Sequence, residues 1–537
     1  MTGSLPKRIQ ISALLLLALL CWGCGGSSSS DSPELASDLE EGRALAYQHC
    51  IACHQVPEPD LLTKRSWEYA LTYMGFFLGV VDYQWMEGSE EFARGSIHLR
   101  EEFVRDAGMI PDQPLLSDSD WSQLRNYYID RAPEEAVPQL DKPKISENLD
   151  LFRKAETQYR MESAITSMVH IDETNGLFYV HDSGAELLTV LDRNFNFHDA
   201  HPSPGVALVE AHSKGESLYL LSIGDLFASN IGGKFGELQR TRLLSGVFMG
   251  LDILVKGLHR PADFDLADLD NDGDEEFLVS NFGDYTGDFS VYRKDADTGA
   301  FIDEPMVLSA QPGIVKGEAH DFNGDGYQDI LVMASAAREN VSLFINDTKG
   351  GFEQKVLWEK HPSFGYIGFQ LGDFNGDGSL DILTLNGDNG DSDPYNTLKR
   401  DHGIRIYLNR GDLNFEEAYF YPMYGVYGAE VEDFDGDGDL DITAIAYHPD
   451  FDLERPENFV FLEQTSSLAF SPSTHPATFS GRWLSMDSGD VDGDGDKDIV
   501  LGAAYVPVGM RDKHMDKFDT LAREGPPILV LENLMKN

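Results

Sequence analysis

Asp321-Phe-Asn323-Gly-Asp325-Gly-Tyr-Gln-Asp329, followed at once by Ile-Leu-Val-Met, is the stretch on which the reading of the fold turns. Oxygen-bearing side chains stand at loop positions 1, 3, 5 and 9, with glycine at position 6. With the backbone carbonyl at position 7, they form a donor set suited to a hard divalent cation such as calcium. An EF-hand is disfavoured, because no Glu sits at position 12 and strands rather than helices follow. The pattern recurs as Asp268, Asp270, Asp272, Asp274 and Glu276; as Asp373, Asn375, Asp377 and Asp381; as Asp433, Asp435, Asp437 and Asp441; and as Asp490, Asp492, Asp494 and Asp498. Each copy runs into an apolar strand, and leading aspartates recur every 52–60 residues, a period suited to propeller blades. A later strand of the unit often ends in Asn, as at Asn346, Asn409 and Asn533. Two weaker units without acidic loops, around 165–191 and 206–226, precede the five. Residues 156–537 are therefore expected to form an all-β propeller of about seven four-stranded blades.

The acidic loops resemble the FG-GAP/VCBS repeats of integrin-α-like propellers over most of 261–533. That resemblance implies about five calcium ions stitching the blades.

Upstream the character changes. Residues 38–135 read as helical, with Trp121, Leu124 and Tyr128 at helical spacing and Ser117 with Asp120 forming a cap. Cys50-Ile-Ala-Cys53-His54 lies in this region and has the C-x-x-C-H spacing of covalent haem attachment. A zinc site would need a second ligand cluster, yet the chain has four cysteines and none beyond Cys53. A thioredoxin-type dithiol would follow a strand, whereas residues 39–47 read as helix. The region resembles a single-haem cytochrome c domain, which implies one covalent haem c with His54 as proximal ligand and a Met thioether opposite. A likeness to propeller-fused cytochromes (Trp67, then Met74-Gly75 and Leu78-Gly79) favours Met74 as that ligand. The alternative is Met109, in a Gly-Met-Ile-Pro loop before the last helix. The fold class is thus multidomain, a small all-α cytochrome c domain followed by an all-β propeller, with residues 136–155 as linker.

Lys7, Arg8 and the apolar run 11–20 read as an export signal over residues 1–23. Cys24 in Gly23-Cys24-Gly-Gly-Ser resembles a lipobox cysteine, which implies lipidation and a membrane anchor. Residues 24–37 then form a flexible tether. The expected location is the cell envelope, on its periplasmic side or at the cell surface.

The formal charge is −51, from 92 acidic and 41 basic residues, which argues against nucleic acid as a partner. Three residues before the five acidic loops stand Asp265, Glu318, Gln370, Glu430 and Asp487, read first as ordinary hydrogen-bonded strand starts and, as the alternative, as a polar ring in the central channel. A polar insertion (Asn386, Asp388, Asn389, Asp391, Lys399, Asp401, His402) interrupts one repeat. No catalytic residue is assigned. The whole chain resembles bacterial lipoproteins that fuse cytochrome c to a VCBS propeller. This implies haem-c electron transfer to a redox partner protein, with the propeller as a calcium-stabilised platform for a protein or polysaccharide. The alternatives are a periplasmic propeller dehydrogenase using its own haem c as electron acceptor, and an adhesion or glycan-binding module. Against the first stands the lack of a Gly-rich nucleotide motif.

Overall fold

The computed structural model describes residues 33–203, 206–226, 233–244, 247–283, 285–294, 301, 304–388 and 393–536. The leader 1–23, Cys24, most of the tether, Asn389 and Asp391 lie outside the described residues.

Four helices come first: α1 (Pro33–His49), α2 (Lys64–Phe77), α3 (Glu91–Asp106) and α4 (Asp118–Arg131). Local chemistry sets their starts. The Thr63 hydroxyl accepts from Ser66 N at 3.3 Å and the Ser117 hydroxyl from Asp120 N at 3.2 Å, each satisfying an orphan donor of the first turn. Trp67, Leu71, Trp121, Leu124 and Tyr128 bury one face of α2 against one face of α4, with the Trp67 and Tyr128 rings 4.3 Å apart. Gly42 lets α1 close on α4, since a Cβ there would meet the Gln123 carbonyl at 2.3 Å.

The remainder is a propeller of seven four-stranded antiparallel blades. The first six blades run 166–202, 207–258, 261–309, 314–360, 366–422 and 426–473, each in meander order. The seventh joins Trp483–Gly489, Asp498–Ala503 and Ile528–Asn533 to Phe152–Lys154, which pairs antiparallel with the last of these. The ring is therefore closed by a strand from its own beginning. That strand lies inside the segment 136–155 read as linker. With three residues, two of them exposed, it carries too little alternation to be recognised. The rest of the linker is also tied down. Lys142 pairs with Glu457, Gln139 Nε2 donates to the His402 carbonyl at 2.6 Å, and Ser146 N donates to the Pro472 carbonyl at 3.1 Å.

In blades three to seven the second strand is buried along its whole length, as in Asp329–Ala334 and Asp441–Ala446. These strands read as unbroken apolar runs because a neighbouring blade covers each face.

The helical region docks on the propeller. Arg400 forms two hydrogen bonds to Asp60 (2.7 and 3.2 Å), and Arg65 two to Asp512 (2.8 and 3.0 Å) while stacking on Tyr395 at 3.7 Å. Tyr73 and Tyr285 share a hydrogen bond of 2.7 Å. Partly exposed ion pairs contribute up to about 1 kcal/mol each. The docking therefore depends on their number and on the ring contacts Phe77–Tyr285 and Phe92–Tyr395.

Candidate functional site

α1 ends at His49 and passes into a single 3-10 turn, Cys50–Ala52. The Cys50 carbonyl accepts from Cys53 N (3.1 Å) and His54 N (3.3 Å), which coils the five-residue motif tightly. Cys50 is half-buried against the Trp67–Trp121 cluster, and burial pushes its thiol up to about 11. Cys53 is exposed. His54 is 8% exposed, and burial holds its imidazole below the usual range, aided by the nearby charges of Arg338 and His361. His54 Nδ1 lies 2.8 Å from the Gln55 carbonyl. A neutral imidazole so placed donates from Nδ1 and keeps the Nε2 lone pair for another partner. Blade four grips the motif from outside: Arg338 donates to the Ala52 carbonyl at 2.9 Å, and Gln55 Nε2 to the Glu359 carbonyl at 3.0 Å. Met74 sits half-buried on α2 against the cluster that holds Tyr69, Tyr73 and Phe76, a different cluster from that of Cys50. Met109 is 40% exposed in the loop between α3 and α4.

The five acidic loops share one geometry. The leading aspartate accepts backbone N–H groups from its own turn, as Asp373 does from Asp377 N (3.0 Å) and Gly378 N (2.7 Å). In three loops, three carboxylates each offer an oxygen within 4.8 Å of the others: Asp268, Asp270 and Glu276; Asp433, Asp435 and Asp437; Asp490, Asp492 and Asp498. The other two loops carry Asn323 and Asn375 at position 3. Asp433 Oδ1 and Asp494 Oδ2 are buried without a partner. Oxygens so gathered match what a hard cation requires.

Position 9 has a second role that spacing alone did not reveal. Asp329, Asp381, Asp441 and Asp498 each accept one backbone N–H from the loop and one from the next strand. Asp441 takes Phe434 N at 3.2 Å and Gln464 N at 2.8 Å. The strand-ending asparagines join blades: Asn346 Nδ2 donates to the Leu269 carbonyl of blade three, and Asn533 Nδ2 to the Phe434 carbonyl of blade six, both at 2.8 Å.

Asp265, Glu318, Gln370, Glu430 and Asp487 all line the central channel. Three of them staple neighbouring blades. Asp265 accepts from Ala319 N (2.9 Å), Gln370 donates to the Ala429 carbonyl (2.6 Å) and Asp487 accepts from Ile171 N (2.7 Å). The ring also holds His170, Glu210, His212, Asp263 and Lys316, which the sequence reading missed. Their signal was the pairing of polar residues two apart on the inner strands, Asp263 with Asp265 and Lys316 with Glu318. Of the polar insertion, Lys399 and His402 are buried, and Asp401 lies 3.6 Å from His361. His402 Nδ1 accepts from Gly425 N at 3.4 Å, and its Nε2 has no partner.

A family model described as an FG-GAP-like repeat matches residues 268–332 and 321–384. The chain carries FG-GAP repeats within its seven-bladed propeller. It matches no curated protein. Among solved structures it is similar to Kuenenia stuttgartiensis hydrazine synthase, at 12% identity over 65% of this chain and 95% of that one, with a TM-score of 0.42. It is also similar to Saccharomyces cerevisiae Sqt1, at 8% identity over 71% of this chain and 99% of that one, with a TM-score of 0.42.

Proposed function

We propose that this protein is a haem-c electron-transfer protein of the cell envelope, anchored through Cys24, whose propeller is a calcium-stabilised binding platform. The observation that carries the reading is the Cys50-Ile-Ala-Cys53-His54 motif with His54 Nδ1 against the Gln55 carbonyl. That hydrogen bond leaves Nε2 as the metal-binding nitrogen and fixes the ring, as the second partner of a ligating histidine does. The donor set fits the group: two thiols spaced for thioether bonds, one imidazole, and Met74 or Met109 as the thioether. When bound, haem c supplies one-electron chemistry at a potential set by its axial ligands and its burial. The chain's part is to hold it. Cys50 and Cys53 fix it covalently, His54 orients it, and Arg338 with Gln55 binds the attachment loop to blade four.

A second reading, a propeller dehydrogenase passing electrons to its own haem, draws support from the channel cavity adjoining α3 of the haem-bearing region. Two measurements separate the outcomes. Haem should resist acid-acetone extraction and become extractable, or be lost, in the Cys50→Ala, Cys53→Ala variant. Anaerobic titration should consume a single electron equivalent per haem. Extractable haem in the parent would refute the first reading, and surplus equivalents would favour the second.

A further inference from the structure

The inner strands of the propeller enclose a cavity of about 1190 Å³, and Leu99, Arg100 and Phe103 of α3 form part of its wall. One ammonium is already seated in it. Lys316 Nζ lies 3.4 Å from Glu318 Oε2, 3.0 Å from the Phe369 carbonyl oxygen and 5.0 Å from the centre of the Phe369 ring. Burial alone would depress this lysine, but Glu318 and Asp263, and from farther off Glu430 and Glu210, hold it charged. A carboxylate, a carbonyl and an aromatic face together replace the water that an alkylammonium gives up.

Elsewhere in the channel, two carboxylates have no lysine or arginine in contact among the described residues, although the charge of Lys316 reaches both from farther off. Glu210, on the inner strand of blade two, has one ion-pair contact, His212 at 3.8 Å, and burial drives that imidazole down to about 4, so it is neutral near pH 7; His170 and Lys316 act on Glu210 from farther off. The Glu430 carboxylate, on the inner strand of blade six, makes no hydrogen bond or ion pair among the described residues. Burial pushes both carboxyls up, Glu210 to about 7; for Glu430 the charges of Asp487 and Glu210 add to the rise while Lys316 opposes it, and for Glu210 His170 and Lys316 oppose it. The cavity wall is mixed polar and apolar, with Tyr427 on the Glu430 strand and Met486 on the adjacent inner strand of blade seven. In the same wall His448 is 3% exposed, and its Nδ1 has no hydrogen-bond partner. A divalent metal is a poor occupant. Among the described residues, triads of carboxylate oxygens close enough for one ion occur only in the acidic loops. A wide, partly apolar volume with separated carboxylates instead suits an organic cation, which brings its own carbon chain to fill the space.

We propose that the propeller channel binds a small organic amine, with its ammonium taken up by Glu210 and Glu430 on the model of the resident Lys316. This deepens the platform half of the reading above, naming a small cation rather than a polymer, and is independent of the haem.

The test is isothermal titration of the detergent-solubilised full-length protein with 1,4-diaminobutane, in saturating calcium and at mildly alkaline pH. One saturable site is expected. It should weaken about fivefold or more in Glu210→Gln and in Glu430→Gln, as when a partly exposed charge loses its partner. Surface Glu353→Gln should leave it unchanged, and n-butanol should give no saturable heat. Lys316→Met vacates the resident ammonium site and should raise the stoichiometry from one to two, a gain that no folding defect can imitate. Absence of saturable binding, equal affinity in all variants, or displacement by magnesium would each overturn the proposal. Haem absorbance of the same sample reports the electron-transfer reading separately.

Discussion

Arg338, at the exposed rim of blade four, donates a 2.9 Å hydrogen bond to the carbonyl of Ala52, a residue inside the C-x-x-C-H motif. The propeller thereby places a fixed positive charge beside the proposed haem. Positive charge disfavours the oxidised iron, so Arg338→Gln, which keeps a donor and removes the charge, should lower the midpoint potential. Arg338→Lys should not. Because the guanidinium is exposed, the difference should shrink at high ionic strength. Potentiometric titration of the three proteins at two salt concentrations checks this, and a midpoint that ignores both substitution and salt would show that the charge is not felt.

The position-9 aspartates are backbone clamps whether or not they also meet calcium. Asp441 is 1% exposed and holds Phe434 N and Gln464 N. Its loss leaves two buried donors unpaired, at about 1–3 kcal/mol each. Asp441→Ala should therefore destabilise the propeller by about 2–6 kcal/mol in denaturant melts, and should do so even in excess chelator. If chelator abolishes the difference between Asp441→Ala and parent, the residue acts through the ion alone.

Position 1 should behave in the opposite way. Asp433 Oδ1 is buried without a partner, beside oxygens of Asp435 and Asp437. An ion bound only by the folded state stabilises it by about 2.7 kcal/mol at a hundredfold excess over Kd. Asp433→Asn should lower the melting temperature in calcium and leave it near that of the parent in chelator. Elemental analysis should count fewer calcium ions in the variant. A calcium-independent loss would assign Asp433 to the turn and not to a cation.

Blade number was legible because five acidic loops stand in register with the strands they precede, and counting back three residues from each offered the channel ring as the second of two readings. Counting of that kind fails where no loop exists to count from, so Glu210 of blade two was missed. It also fails where one spacing serves two purposes, since a carboxylate that suits a cation at position 9 suits two backbone N–H groups as well. The docking of the helical region was beyond reach. Arg400 and Asp60 are 340 residues apart in sequence, and neither belongs to a pattern. The closing strand 152–154 is recognisable only through its partner, Leu531–Asn533.

The channel carboxyls should make stability depend on pH in a direction opposite to ordinary surface acids. Burial pushes Asp263 and Glu210 up to about 7. Lys316 and the Gly317 N–H pull Asp263 back while Asp265 and Glu318 push it further; for Glu210, Asp263 and Asp487 raise and His170 and Lys316 lower. In the unfolded chain the same groups titrate near about 4. Between these values the folded protein holds protons that the unfolded chain has released, so this contribution to stability falls as pH rises through the window and is flat above it. The double variant Glu210→Gln, Asp263→Asn mimics the protonated pair at every pH. Measured in saturating calcium, its stability relative to the parent should be lowest at the acid end of the window. It should climb steadily towards neutrality and level off above it. A relative stability that stays flat across the window would mean that both carboxyls are already ionised in the folded channel, with Lys316 neutralising more of the ring than its contacts with Glu318 and Phe369 suggest.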